Sequence, residues 1–489
     1  MKILLVYTGY TIREVPLNVL YISAALKKAG HTTKVFELTP YKKRPIFGDP
    51  NRIIKNAFHQ VLKEFNPDLV GFSTMTINLN LARSLARVVK ESTNTPVIFG
   101  GVHPTLGPEE TINMPEVDMI CVGEGEEAVV ELVNKMEAKQ DFTRTKGIWV
   151  KDNGRVCRNP IMPLDNNIDE IPFPDRDVFP SEFYRAELTG ANLMTGRGCP
   201  YPCTFCQNKA FLEMYKGHGS FIRYRSFENI FQEMEELIGK YKAERFYFSD
   251  ETFTMNKQRV IEFCSEYKKH FRNLFMCQTR VDCLDEEIVA ALKEAGCDHV
   301  SLAIEAGNER LRREVLKKRF KDEQVFKAFD LVKKYKMRTQ SFNMIGLPED
   351  TKETIFETIR MNKSLQPDRI LCTIYMPFKG TELGRRCIEE GLVLRPVEES
   401  NGYYTEVTIK NYYLKPRTLI GYQGFFDWYV RLPEKYYWAV DILRLIYQTI
   451  LPTTQAVPGP VRYFREQVIE FVYGLKGYLP NHTYVIKNR

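Results

Sequence analysis

Three cysteines crowd one short stretch, Gly196-Arg-Gly-Cys-Pro-Tyr-Pro-Cys-Thr-Phe-Cys, at Cys199, Cys203 and Cys206. Thiolates are soft ligands, and three of them on a Gly/Pro-rich loop suit an iron-sulfur cubane that keeps one iron free of protein ligands. The amine and carboxylate of a small molecule can chelate that open iron, which brings the molecule within reach of inner-sphere electron transfer. A zinc loop would need a fourth Cys or His close by. None follows at knuckle spacing.

More polar residues fall where later strands should end. These are Asp250-Glu251, Arg280, Glu305 and Gly307 in Ile304-Glu-Ala-Gly, and Asn343 and Gly346 in Asn343-Met-Ile-Gly-Leu-Pro-Glu. Barrel enzymes place their sites at such carboxyl ends. Singly, a charged strand end is most often just solvated; in register behind the cysteine loop, these support one another. A second set lies earlier: Gly71-Phe-Ser73-Thr74, Gly100-Gly101-Val-His103-Pro-Thr and Gly123-Glu124-Gly125-Glu. Glycine admits close approach to the backbone, and the hydroxyls can bond a phosphate or a heteroaromatic tail. Gly-x-Gly-x-x-Gly is absent after the opening strand, which argues against an ordinary dinucleotide fold.

Two α/β units must hold these residues. Residues 1–145 alternate β-branched runs with helical stretches, with strands expected at Lys2–Tyr7, Thr33–Glu37, Leu69–Ser73, Val97–Gly100 and Met119–Val122. That pattern predicts a doubly wound, Rossmann-like parallel sheet. Residues 146–184, rich in Pro, Asp and Asn, read as a linker. Residues 185–390 resume the alternation, with strands near Asn192–Thr195, Arg245–Ser249, Phe275–Thr279, His299–Ile304, Thr339–Met344 and Ile370–Tyr375. Six such units predict a partial (β/α)6 barrel rather than a closed eight. Residues 391–489 read as a helical, aromatic-rich C-terminal region.

Composition narrows the class. With 489 residues, 44% hydrophobic and 12% aromatic, the chain can bury several cores. Its net charge of +7 is spread among acidic residues, so no nucleic-acid partner is indicated. The opening MKILLVYTGY reads as a strand and not a signal peptide. Eleven cysteines, an odd number in a long chain, point to a reducing compartment, hence the cytoplasm. The apolar stretch Tyr436–Leu451 is interrupted by Asp441 and Arg444 and falls short of the roughly 20 residues a spanning helix needs. Contact with a membrane surface stays open.

In the order and spacing of these motifs, the chain resembles the cobalamin-dependent radical S-adenosylmethionine (SAM) enzymes, in which a B12-binding domain precedes a radical SAM core. The likeness covers Met1 to about Met136 and about Leu193 to Leu383. It implies a 4Fe-4S cluster on Cys199, Cys203 and Cys206, with Phe205 against the adenine of SAM. Asp250-Glu251 would receive the SAM amino group, Arg280 its carboxylate, Glu305 and Gly307 the ribose, and Asn343 and Gly346 would lie beside the adenine. Ser73, Thr74, Gly100, Gly101, His103, Gly123, Glu124 and Gly125 would line the cobalamin site. The Asp-x-His-x-x-Gly segment that gives cobalt a histidine elsewhere is missing from the loop after Tyr7, and His103 suits a nucleotide-loop or structural role. Only Cys121 lies in the first domain, which excludes the three-cysteine domain of the methylthiotransferases.

The same resemblance implies reductive cleavage of SAM to a 5′-deoxyadenosyl radical, hydrogen abstraction from an unactivated carbon, and C-methylation from methylcobalamin. The rival outcome is oxidative cyclisation or carbon-carbon bond formation without methyl transfer. A reading of another class is a non-catalytic cobalamin or SAM sensor. The partners implied are a small-molecule or lipid substrate and an electron donor such as flavodoxin or ferredoxin. The C-terminal aromatics, flanked by Arg417, Arg431, Lys435 and Arg444, either line an apolar pocket, meet lipid, or pack the region onto the barrel.

Overall fold

The computed structural model describes residues 1–9, 15–38, 50–179, 184, 191–400 and 406–450. Residues 10–14 of the opening loop and 451–489 of the C-terminal region lie outside the described residues.

The first sheet is built from β1 (Lys2–Tyr7), β2 (Thr32–Glu37), β3 (Leu69–Ser73), β4 (Val97–Gly100), β5 (Met119–Cys121), β6 (Ile148–Asp152) and β7 (Arg155–Cys157). Their order is β2-β1-β3-β4-β5-β6-β7. Ile3–Val6 is apolar at every position because helices cover both faces. Leu4, Val6, Val70, Phe72 and Phe99 pack under one pair of helices, Pro50–Phe65 and Leu79–Ser92. Ile3, Leu5, Ile98 and Cys121 face the other pair, Leu17–Lys28 and Glu126–Glu137. The strand order reverses between β1 and β3, where open sheets bind ligands.

The expected five strands form, but the sheet does not stop at residue 145. β6 pairs antiparallel with β5, Met119 opposite Val150, and β7 returns on β6. The turn is Asn153-Gly154, with φ of 46° and 78°. An Asn-Gly pair between two apolar runs is the standard hairpin signal. The segment assigned to the linker therefore begins inside the first domain.

The second unit comprises β8 (Ala191–Leu193), a short antiparallel pair β9 (Gly196–Arg197) and β10 (Arg223–Tyr224), then β11 (Arg245–Phe248), β12 (Leu274–Thr279), β13 (Cys297–Glu305), β14 (Arg338–Ile345) and β15 (Arg369–Ile374). All six expected strands pair in parallel as β15-β14-β13-β12-β11-β8, an open partial barrel. The C-terminal helices Pro416–Arg431 and Tyr437–Ile450 follow. Leu419, Tyr422, Phe425 and Tyr429 are buried against Ile345, Ile355, Ile359 and Ile374 of the barrel layer. These aromatics thus fasten the region to the barrel, and Arg444 pairs with Asp441 at 2.8 Å. Among the described residues, no helix is long and apolar enough to cross a membrane.

Candidate functional site

The cysteine loop leaves the barrel at the carboxyl end of β8 and is tied down along its length. Gly198, at φ 94°, sits so close to the Phe221 carbonyl that a Cβ would come within 2.1 Å of it. Thr204 is buried, donates its hydroxyl to the Val315 carbonyl at 2.6 Å and its N–H to the Leu316 carbonyl at 3.2 Å. Val315 ends, and Leu316 caps, a π-helical turn over Leu311–Val315, a distortion that is frequent at functional sites. Cys199 and Cys203 are buried and Cys206 is half-buried.

Burial pushes the Cys206 thiol up to about 12 and raises that of Cys203, which the nearby Lys318 and Arg280 cations partly oppose. A thiol must lose its proton to bind metal, so loading the loop releases protons. The donor set fits a cluster with one open iron.

The strand-end residues divide into those that face the loop and those committed elsewhere. Glu251 is half-buried; burial raises its carboxyl, and Arg197 and the Gly198 N–H act against the rise. Asp250, expected to share its role, is instead held by Thr195, whose N–H and hydroxyl both reach its carboxylate, the hydroxyl at 2.7 Å. It fastens the ends of β8 and β11 together. Arg280 is buried, forks onto Asp282 at 2.9 and 2.8 Å, and turns Nη1 toward the Cys203 sulfur at 3.6 Å. Its Nε and Nη2 edge is thereby occupied.

Glu305 has a left-handed backbone, φ 69°, at a register shift in β13. A non-glycine residue there is uncommon and re-aims the strand end. Its carboxylate pairs with the buried Lys318 at 3.0 Å. Gly307 is packed against the helix Lys352–Leu365: its N–H donates to the Thr358 hydroxyl, and a Cβ would stand 2.4 Å from the Thr358 Cα. It is therefore closely packed there, with its N–H already bonded. Asn343 is likewise spent in the core, donating to Ser341 and the Leu371 carbonyl and accepting from Asn362. Gly346, at φ 80°, makes the turn that lets its N–H bond Asp350. Phe205 packs against the cluster that holds Ala306, Met344 and Leu347, which joins the cysteine loop to the ends of β13 and β14.

A cavity of about 280 Å³ opens at the carboxyl ends of the first sheet, between the sheet and the helices Leu17–Lys28 and Glu126–Glu137. Gly71, Ser73, Gly100, Gly101, Gly123, Glu124 and Gly125 line it, with apolar walls from Leu5, Ile98 and Val129. Ser73 accepts from Asn18 at 2.8 Å. Thr74 is buried and bonds the Gly100 carbonyl, so it shapes the wall without reaching the cavity. His103 does not line the cavity either: it is buried, with Nδ1 3.1 Å from the Thr76 hydroxyl, and burial lowers its basicity.

Sequence reasoning missed the residues that join the two units. Met194 and Arg197 of the barrel line the same cavity. Arg197 bonds Glu124 at 3.1 Å and Glu126 at 2.6 Å, and Arg223 bonds Glu124. Burial alone would raise the Glu126 carboxyl, but Arg197, with Arg223 behind it, holds it below the usual range. Lys318 was also missed. No local signal separates these from the chain's many surface cations.

Residues 3–133 match the B12 binding domain and residues 193–361 the radical SAM superfamily. An uncharacterized methyltransferase of Pyrococcus horikoshii is 30% identical over 450 residues, covering 86% of this chain and 94% of its own. An anaerobic magnesium-protoporphyrin IX monomethyl ester cyclase of Cereibacter sphaeroides is 30% identical over 386 residues, covering 75% of this chain; the chain spans 59% of the cyclase. The radical SAM methyltransferase TsrM of Kitasatospora setae, solved with cobalamin and a [4Fe-4S] cluster, shares the fold with a TM-score of 0.67 at 16% identity, covering 97% of this chain and 99% of its own. With the thiol loop and the glycine-lined cavity both in place, the chain belongs to the cobalamin-dependent radical SAM enzymes, whose cofactors are a 4Fe-4S cluster, SAM and cobalamin.

Proposed function

We propose that the protein methylates an unactivated carbon of a small-molecule or lipid substrate. Residues 1–157 would hold cobalamin, 185–390 the cluster and SAM, and 391–489 would select the substrate. The observation that carries this reading is the shared cavity, whose walls combine glycines of the first sheet with Met194 and Arg197, a few residues before Cys199. A ligand seated there lies beside the turn that carries the thiols.

When bound, the cluster and SAM supply a hydrogen-abstracting radical and cobalamin a transferable methyl group. The chain's own residues do the positioning. Cys199, Cys203 and Cys206 would hold three irons of the cluster and leave the fourth without a protein ligand. Glu251, freer than Asp250, would accept the SAM ammonium; Phe205, with Ala306 and Met344 behind it, offers an apolar seat for adenine. Glu305, fixed by Lys318 at the end of β13, would hold the ribose hydroxyls with its carboxylate. The glycines of the cavity admit the flat end of a cobalamin nucleotide tail, and the Arg197 and Arg223 bonds to Glu124 hold the two cofactor sites in one orientation. The electron would come from a donor such as flavodoxin or ferredoxin. Eleven free thiols suit the reducing cytoplasm.

Relatives named as methyltransferases support methyl transfer, and the relative named as a cyclase supports the non-methylating outcome. The test is anaerobic reconstitution with iron, sulfide and hydroxocobalamin, then SAM turnover under reductant followed by mass spectrometry. Cobalamin retention with both 5′-deoxyadenosine and S-adenosylhomocysteine supports methylation. 5′-Deoxyadenosine alone favours the second outcome, and failure to retain cobalamin refutes the assignment of the first domain.

A further inference from the structure

The cysteine loop has a built cationic neighbour. Arg280 follows β12 and is buried, with 6% of its surface exposed. Its Nε and Nη2 edge is filled by both oxygens of Asp282. From the other end, Nη1 lies 3.6 Å from the Cys203 sulfur. The guanidinium lies over the ring of Tyr201, 3.8 Å from its centre. Tyr201 stands between Cys199 and Cys203, and its hydroxyl is 2.8 Å from the Cys283 sulfur. Arg280, held by Asp282, thus grips the loop at its ring face and its sulfur, and Cys283 meets its hydroxyl.

We propose that Arg280 is a positioning residue of the cluster: it donates an N–H···S hydrogen bond to Cys203 and keeps a fixed positive charge beside that ligand, which makes the cluster easier to reduce. The inference rests on the cysteine loop holding the cluster. Hydrogen bonds to the ligating sulfurs, and net charge around them, are among the main determinants of an iron-sulfur potential. A cation stabilises the form carrying the extra electron, and burial leaves the interaction weakly screened. Asp282 offsets part of that charge, but it binds the opposite edge of the guanidinium, so Nη1 is the end nearest the sulfur. The Nε and Nη2 fork, which could receive a carboxylate, is already taken by Asp282.

The test is an EPR-monitored redox titration of the reconstituted, SAM-free holoenzyme, alongside SAM affinity. Arg280→Met should move the midpoint to more negative potential at unchanged iron content. Arg280→Lys, which keeps the charge and loses the planar fork, should recover part of the shift. Asp282→Asn, which removes the opposing charge, should move the midpoint the other way. If Arg280→Met keeps the wild-type midpoint and only SAM binding weakens, Arg280 serves the SAM carboxylate and the inference is overturned. Should Arg280→Met take up no iron, the other two variants decide, and unmoved midpoints in both overturn it. Wild-type protein that assembles no cluster would refute the reading of the loop itself, and this inference with it; an assembled cluster with unmoved midpoints refutes this inference alone.

Discussion

Gly100→Phe is expected to abolish cobalamin binding through the nucleotide tail while leaving the fold and the corrin contacts in place. Gly100 ends β4 beside Cys121, and both line the cavity. A Cβ added there meets nothing closer than the Cys121 Cβ at 3.6 Å, an ordinary contact, so the backbone tolerates a side chain. The aromatic ring then occupies part of the 280 Å³ that a heteroaromatic base would need. An aromatic group of that size buries roughly 150–250 Å², and at about 25 cal/mol per Å² its exclusion forfeits about 4–6 kcal/mol. That corresponds to a loss of about a thousandfold or more in affinity. The assay is equilibrium dialysis of hydroxocobalamin against wild type and variant, with cobinamide, which lacks the tail, as the control ligand. Cobinamide should bind both proteins alike. Wild-type cobalamin affinity in the variant, or equal losses for both ligands, would refute the placement of the tail in this cavity.

Three further outcomes are expected. Cys206→Ala should drop reconstituted iron and sulfide well below wild type without changing cobalamin binding, as metal analysis and absorbance will report. Gly307→Ala drives a Cβ into the Thr358 backbone at 2.4 Å and the Glu357 carbonyl at 2.6 Å. That overpacking should cost about 3 kcal/mol and lower Tm by roughly 6–12 °C in a calorimetric scan. His299 is buried in β13, and burial, then Arg369 and Arg338, lower its pKa to about 3. The unfolded chain protonates it near pH 6.5, so its contribution to stability is present above that value and is lost as pH falls toward 3. Between pH 7 and pH 5 the loss is about 2 kcal/mol. His299→Leu should flatten that acid limb in paired thermal scans; an identical acid limb would contradict the burial argument.

Much of this protein is legible from its sequence because its signals are local. The three thiols share one loop, the strands announce themselves by apolar runs covered on both faces, and Ser73, Gly100 and Gly123 fall where those runs end. The Asn153-Gly154 hairpin was equally local, and only the Pro/Asp/Asn-rich composition around it disguised a strand pair as linker. What the tertiary structure alone decided is which polar group is free. Asp250 and Glu251 are adjacent and chemically alike, yet Thr195, 55 residues away, claims Asp250 and leaves Glu251 facing the loop. Arg280 reaches Cys203 across 77 residues, and Asn343 is consumed by Asn362 on a packed helix. Arg197 and Arg223 become the bridge to Glu124 only where the two α/β units meet. Burial removes water as the alternative partner, so each buried polar group must be satisfied by whatever the fold brings beside it. Periodicity and motif spacing describe the chain's neighbours in sequence; partners in space belong to the packed molecule.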